Sequence, residues 1–290
     1  MKSTHWMLML SGILLLFVCA STFYHRVMRV ERGRMPAEEA MDIAEEMRSD
    51  EGSDSNTAWV TLSQGTNGRI SFETVLANAD DICEKTVAFG YNKDKCAHGI
   101  GHVLLRRSQR VLKDGLSACG SAFGSQVLSF HCATGVYMEH IFAMSDSELN
   151  GDHLLMPCEE QTQYVSGCYR YIMRKMVWKK GRAVREAMMN RCRQLTDYHR
   201  LGCYHGYGFS YAVVLVRNPM LLKVACSEGT ESERKMCIDG AIGRAIQLNK
   251  IDIAHKACES LDVLRDYCND TVTNGITSDK HDYSLYVSAN

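Results

Sequence analysis

Two histidines four positions apart, His98 and His102, are the residues of this 290-residue chain whose spacing is best suited to chemistry. They frame the motif His98-Gly99-Ile100-Gly101-His102. Positions i and i+4 of a helix share a face, so both imidazoles can turn toward one metal ion or one substrate. A partial copy follows at His205-Gly206-Tyr207-Gly208. With a carboxylate such as Glu139, the set His98, His102 and Glu139 would suit a divalent transition metal. The same histidines can equally bond neighbouring helices or line a polar binding surface. The sequence therefore requires no cofactor, and metal binding stands as the alternative reading. No nucleotide-binding loop, Gly-x-Ser-x-Gly elbow or His-Glu-x-x-His motif occurs, and the reading leans away from an enzyme. Lys and Arg number 33 against 34 Asp and Glu, which leaves no basic field for nucleic acid.

The elements that must position these residues are announced by cysteines. Outside the N-terminal apolar run, which contains Cys19, they fall at Cys83, Cys96, Cys119, Cys132, Cys158, Cys168, Cys192, Cys203, Cys226, Cys237, Cys258 and Cys268. No two lie within four residues of each other, as zinc modules usually require, and no Cys-x-x-Cys-His haem site is present. An even set of this size points to disulfides and to an oxidising compartment. First members of successive pairs recur at spacings of 36, 39, 34, 34 and 32 residues. A period near 34 is that of a stacked α-hairpin array. In VREAMMNRC and LLKVAC, apolar residues recur at helical spacing up to the cysteine; a polar loop follows, and the second cysteine opens the next helix. The expected fold is all-α: a solenoid of about six α-hairpin repeats, each closed by its own disulfide, 83–96 through 258–268. Four units carry glycine three places after the second cysteine, namely Gly99, Gly135, Gly206 and Gly240. Helical glycine costs about 1 kcal/mol against alanine, so a fixed glycine implies close helix–helix approach.

The fragments KVAC…KMCIDGAIG and HKACESL…YCNDT resemble the disulfide-bridged Sel1-like repeats, relatives of tetratricopeptide repeats. The likeness is architectural and covers about 71–275. The cysteines here are further apart, and the usual leucine-glycine and tyrosine-glycine positions are mostly missing. The resemblance implies a right-handed helical solenoid that binds a protein, a peptide or a cell-wall fragment.

Equivalent positions of such an array line one surface. Two places after the second cysteine the units carry His98, Thr134, Arg170, His205, Asp239 and Asp270; six places after, they carry His102, Met138, Arg174, Phe209, Gly243 and Asn274. This polar stripe makes His98, His102, Glu139, Arg170, Arg174 and His205 the candidate ligand-binding residues on a concave face, with a protein or peptide as partner. Arg170, Arg174, Lys175, Lys179, Lys180, Arg182 and Arg185 form a basic cluster, read as a solvated helix face, with an anion-binding patch as its functional version.

The chain divides into a signal anchor or signal peptide with one transmembrane helix (1–25), an acidic membrane-proximal linker (26–70), the cysteine-rich repeat domain (71–278) and a polar tail (279–290). The apolar run Trp6–Tyr24 is nineteen residues, just enough to span a bilayer. Arg26, Arg29, Arg32 and Arg34 after it favour a cytoplasmic C-terminal side, whereas twelve paired cysteines demand the opposite. The cysteines are the stronger signal. The expectation is a single-pass membrane protein with its C-terminal domain extracytoplasmic; secretion after cleavage behind Ala20 is the alternative.

Overall fold

The computed structural model describes residues 72–87, 92–145, 147–149, 154–181 and 183–275. The expected membrane segment, linker and C-terminal tail lie outside them. No described helix is long and apolar enough to cross a membrane. The described residues form helices α1 (Phe72–Val87), α2 (Lys93–Arg107), α3 (Leu112–Ala122), α4 (Gln126–Ala143), α5 (Val165–Lys180), α6 (Val184–Gln194), α7 (Asp197–Arg217), α8 (Leu222–Ala225), α9 (Glu231–Gln247), α10 (Ile251–Glu259) and α11 (Arg265–Asn274). They contain no β-strand, and 3-10 turns occur at Cys158–Glu160 and Pro219–Leu221.

All six local disulfides are present: Cys83–Cys96, Cys119–Cys132, Cys158–Cys168, Cys192–Cys203, Cys226–Cys237 and Cys258–Cys268. Each ties the end of one segment to the beginning of the helix after it. Those second helices, α2, α4, α5, α7, α9 and α11, pack side by side in chain order, and the shorter first segments lie against them. Helix starts follow local chemistry. Asn92 Oδ1 accepts from the backbone N–H groups of Asp94 and Lys95, opening α2. Thr230 and Glu233 form a reciprocal capping box at α9.

Two units depart from the hairpin expectation. In the third, no helix is found among the described residues leading up to Cys158, which itself opens the 3-10 turn Cys158–Glu160. In the fifth, a 3-10 turn and the four-residue α8 replace a full helix. The cause in the fifth is the length of α7, which runs 21 residues and stops just before Asn218-Pro219. Proline disfavours helical geometry in the residue preceding it.

Glycine sets the spacing of the row. A Cβ added at Gly101 would stand 1.9 Å from the Cys132 carbonyl oxygen, and one at Gly135 would stand 1.9 Å from the His98 carbonyl oxygen. The pair α7/α9 repeats this reciprocity: Gly208 meets the Cys237 carbonyl and Gly240 the His205 carbonyl, each at 1.9 Å. Between α5 and α7 the contact is one-sided, with Gly206 at 2.4 Å from the Tyr169 carbonyl. At α4/α5, Gly167 meets side chains only, the nearest being the Thr134 methyl at 3.3 Å. Gly135, Gly206 and Gly240 therefore act as the spacing predicts. Their reciprocal partners Gly101 and Gly208 lie five places after the cysteine, a position the repeat reading did not single out.

These contacts give a matched pair of expectations. Gly135→Ala forces backbone against backbone and should lower unfolding free energy by about 3 kcal/mol in chemical denaturation. Gly243→Ala, where nothing lies within 4 Å, should instead raise it by ~0.5–1 kcal/mol.

Candidate functional site

Position two of each unit sits beside these backbone contacts, so its side chains reach across from one second helix to the next. His98 Nδ1 lies 2.8 Å from Thr134 Oγ1, linking α2 to α4. Arg170 Nε donates to His205 Nε2 at 2.7 Å, linking α5 to α7. Asp239 accepts from Tyr267 at 2.7 Å and from Thr271 at 3.1 Å, linking α9 to α11. The polar stripe is thus a ladder of hydrogen-bonded pairs.

On α2 the two histidines of the motif face each other, Nε2 to Nε2 at 3.2 Å, with their rings edge to face. His102 turns its Nδ1 to Glu139 Oε2 at 3.2 Å. Glu139 also accepts from Arg106 at 3.0 and 2.9 Å and from Arg110 at 3.1 Å. The His102 hydrogen bond and the Arg106 guanidinium hold the Glu139 carboxyl well below the usual carboxylate range, against the opposing effect of burial. His98 is pushed well below the ordinary imidazole value, first by burial and then by His102, His131, Arg170 and Arg244. Among the described residues, no group of three or more His, Cys, Asp or Glu side chains is arranged to hold a metal ion. Glu139 sits on the nitrogen of His102 remote from His98, so it orients that ring and does not share a point with both Nε2 atoms.

The second cluster adjoins the first through Tyr171, whose ring is 6.1 Å from that of His98 and 5.9 Å from that of Phe209. The Arg170 guanidinium lies over Phe130 and Phe209 at 4.8 and 5.2 Å, and Arg244 lies over Phe209 at 5.3 Å. Arg174 lies over Phe142 at 5.8 Å, and Phe142 packs against Tyr171. Such cation–π contacts offset part of the desolvation of a buried cation. All six candidates therefore fall into two adjoining groups: His98, His102 and Glu139 in one, Arg170, Arg174 and His205 in the other.

The basic cluster on α5 is not a solvated face. On α5, Arg170, Arg174 and Lys175 are 3%, 4% and 2% exposed, because α5 is flanked on both sides within the row, and Arg185, on α6, is 8% exposed. Lys175 Nζ donates to the carbonyls of Ile141 and Met144 at 2.7 and 2.6 Å, capping the C-terminus of α4. Arg185 donates to the Ser210 carbonyl. Lys179 and Lys180 are exposed, and Arg182 lies outside the described residues.

Sequence reasoning passed over Tyr171, Arg244, Phe130 and Phe142. One signal was available for Tyr171. It occupies the place where four other units carry glycine, and Thr271, which bonds Asp239, occupies that place in the sixth unit. Nucleophilic chemistry finds no support in this arrangement. The twelve cysteines of the array are all in disulfides, and Thr134 is 1% exposed with its hydroxyl 2.6 Å from the His131 carbonyl.

His205 carries a pH signature. It is fully buried and accepts from a cation, so burial first and Arg170 second push its pKa well below 6.5. Its stabilising contribution is complete above the unfolded value of about 6.5 and is lost as pH falls below it, because the unfolded chain takes up a proton that the folded one refuses. Between about pH 6.5 and 5, His205→Gln should flatten the fall in unfolding free energy by up to ~1.4 kcal/mol per pH unit. An unchanged slope would show that the folded protein protonates His205.

No family model, curated protein or solved structure matches the chain, so the reading of its function rests on this arrangement.

Proposed function

We propose that the chain is a disulfide-stapled helical-repeat scaffold, held at a membrane by its N-terminal apolar run, whose row of second helices binds a protein or peptide on the extracytoplasmic side. Six disulfides suit the described domain to an oxidising, extracytoplasmic environment. The observation that carries the binding role is the ladder itself. Position-two side chains from successive helices meet in the hydrogen-bonded pairs His98–Thr134 and Arg170–His205, and the position-two Asp239 meets Thr271, one place further along its helix. A recognition surface needs side chains held in fixed positions, since ordering them on binding would cost affinity. Staples, backbone contacts and buried hydrogen bonds supply that rigidity here. The rim of this line offers charge to a partner: Arg106 and Arg110 have side chains 62% and 55% exposed while remaining bonded to Glu139. Repeat arrays present such extended surfaces as their ordinary mode of action.

The test is photo-crosslinking in cells, with the reactive amino acid placed at Arg106, at Arg110 or at Val263, which is 81% exposed beyond α10. A discrete adduct from the two rim positions and none from Val263 is expected. No adduct, or the same adduct from all three, would refute recognition by this face. Tethering has its own measurement: alkaline carbonate should leave the full-length chain in the membrane pellet. A shortened chain in the supernatant would establish the cleaved, secreted form instead.

A further inference from the structure

The proton positions around His98 and His102 lead to a site that the scaffold role does not need. Both Glu139 oxygens take hydrogen bonds from the guanidinium groups of Arg106 and Arg110, so toward His102 the carboxylate acts as an acceptor. Nδ1 of His102 therefore carries a proton, and in the neutral ring Nε2 presents its lone pair toward His98. The state of His98 is decided by one hydroxyl. Thr134 Oγ1 lies 2.8 Å from His98 Nδ1 and 2.6 Å from the His131 carbonyl oxygen, and it has one proton to give. When the hydroxyl donates to the ring, the His98 proton moves to Nε2 and bonds His102. When it donates to the carbonyl, it accepts from His98 Nδ1–H, and both Nε2 lone pairs point at one place. Two lone pairs 3.2 Å apart repel, and a cation between them turns that repulsion into two bonds.

The distance suits a particular class of ion. With metal–nitrogen bonds of about 2.0–2.1 Å, an Nε2–Nε2 separation of 3.2 Å subtends roughly 100° at the metal, close to tetrahedral. Each ligand ring would be held through its far nitrogen, by a carboxylate in one case and a hydroxyl in the other, which is the usual outer support of metal-binding histidine. His98 and His102 are both of intermediate exposure, the His102 side chain at 13%.

We propose that His98 and His102 bind one zinc-class ion through their Nε2 atoms, with Glu139 and Thr134 holding the Nδ1–H protons and water filling the remaining two positions. The proposal does not depend on the scaffold reading. Glu139 is an orienting partner in this site and not a ligand.

The experiment titrates the full-length, disulfide-intact chain, carrying no histidine tag and stripped with chelator, with Zn²⁺ against a chromophoric competitor. Co²⁺ serves as a spectroscopic probe of geometry. One equivalent of Zn²⁺ should bind, with tetrahedral Co²⁺ absorption, and binding should be lost in both His98→Ala and His102→Ala. Glu139→Gln should weaken it about 10- to 100-fold. Histidine NMR of the unaltered protein gives an answer independent of any variant's folding. His98 and His102 ring signals should shift together on adding one equivalent of Zn²⁺ while His205 stays in place. No stoichiometric binding would overturn the proposal, as would undiminished binding in the His98→Ala/His102→Ala double variant or shifts confined to other histidines.

Discussion

The structure depends on backbone-to-backbone contact between consecutive second helices, and on the residues at which that contact is made. Cys132 is joined through its sulfur to Cys119 and through its carbonyl to the face of Gly101. Cys237 stands in the same relation to Cys226 and Gly208. In each of these two units one residue is therefore the point where the staple and the inter-helix contact meet. The staple fixes the loop before the helix, and the contact fixes the helix against its neighbour. Residues beside the contact inherit short distances. His98 offers its carbonyl to Gly135 and its side chain to Thr134, one residue away.

Close approach also explains how a chain with many charges buries several of them. The middle helix α5 lies between α4 and α7, so its Arg170, Arg174 and Lys175 are almost wholly buried. They are accommodated by aromatic faces, by carbonyls at helix ends and by a neutral imidazole. Isolated charges would be costly in such surroundings, whereas a guanidinium flanked by rings and acceptors is tolerated. The central part of the row thus trades an oily interior for a polar, directional one, which specifies how neighbouring units align.

Much of this was legible in the sequence because the period is covalently marked. The disulfide pairing, the all-helical composition and the meeting of His98 with Thr134 and of Arg170 with His205 all follow from the cysteine spacing. What escaped were the features set by neighbours in space. The hairpin pattern failed where α7 ran to 21 residues and left little chain for the next first helix. The basic run on α5 has the composition of a solvent-facing surface, and only its place between two helices buries it. Gly101 and Gly208 were invisible as contacts because reciprocity between two helices is not written at one position of a repeat. The facing of His98 and His102 was legible from their spacing, whereas the role of Thr134 in setting their protons required coordinates.

The brevity of the disulfide loops has a consequence for biogenesis. Every partner cysteine arrives 10 to 13 residues after the first. A chain threading into an oxidising compartment from its N-terminus presents each native pair together before the following unit's cysteines appear. Order of arrival and order of bonding coincide, so the correct connectivity among twelve thiols can be reached by vectorial capture, with little need for reshuffling among distant partners.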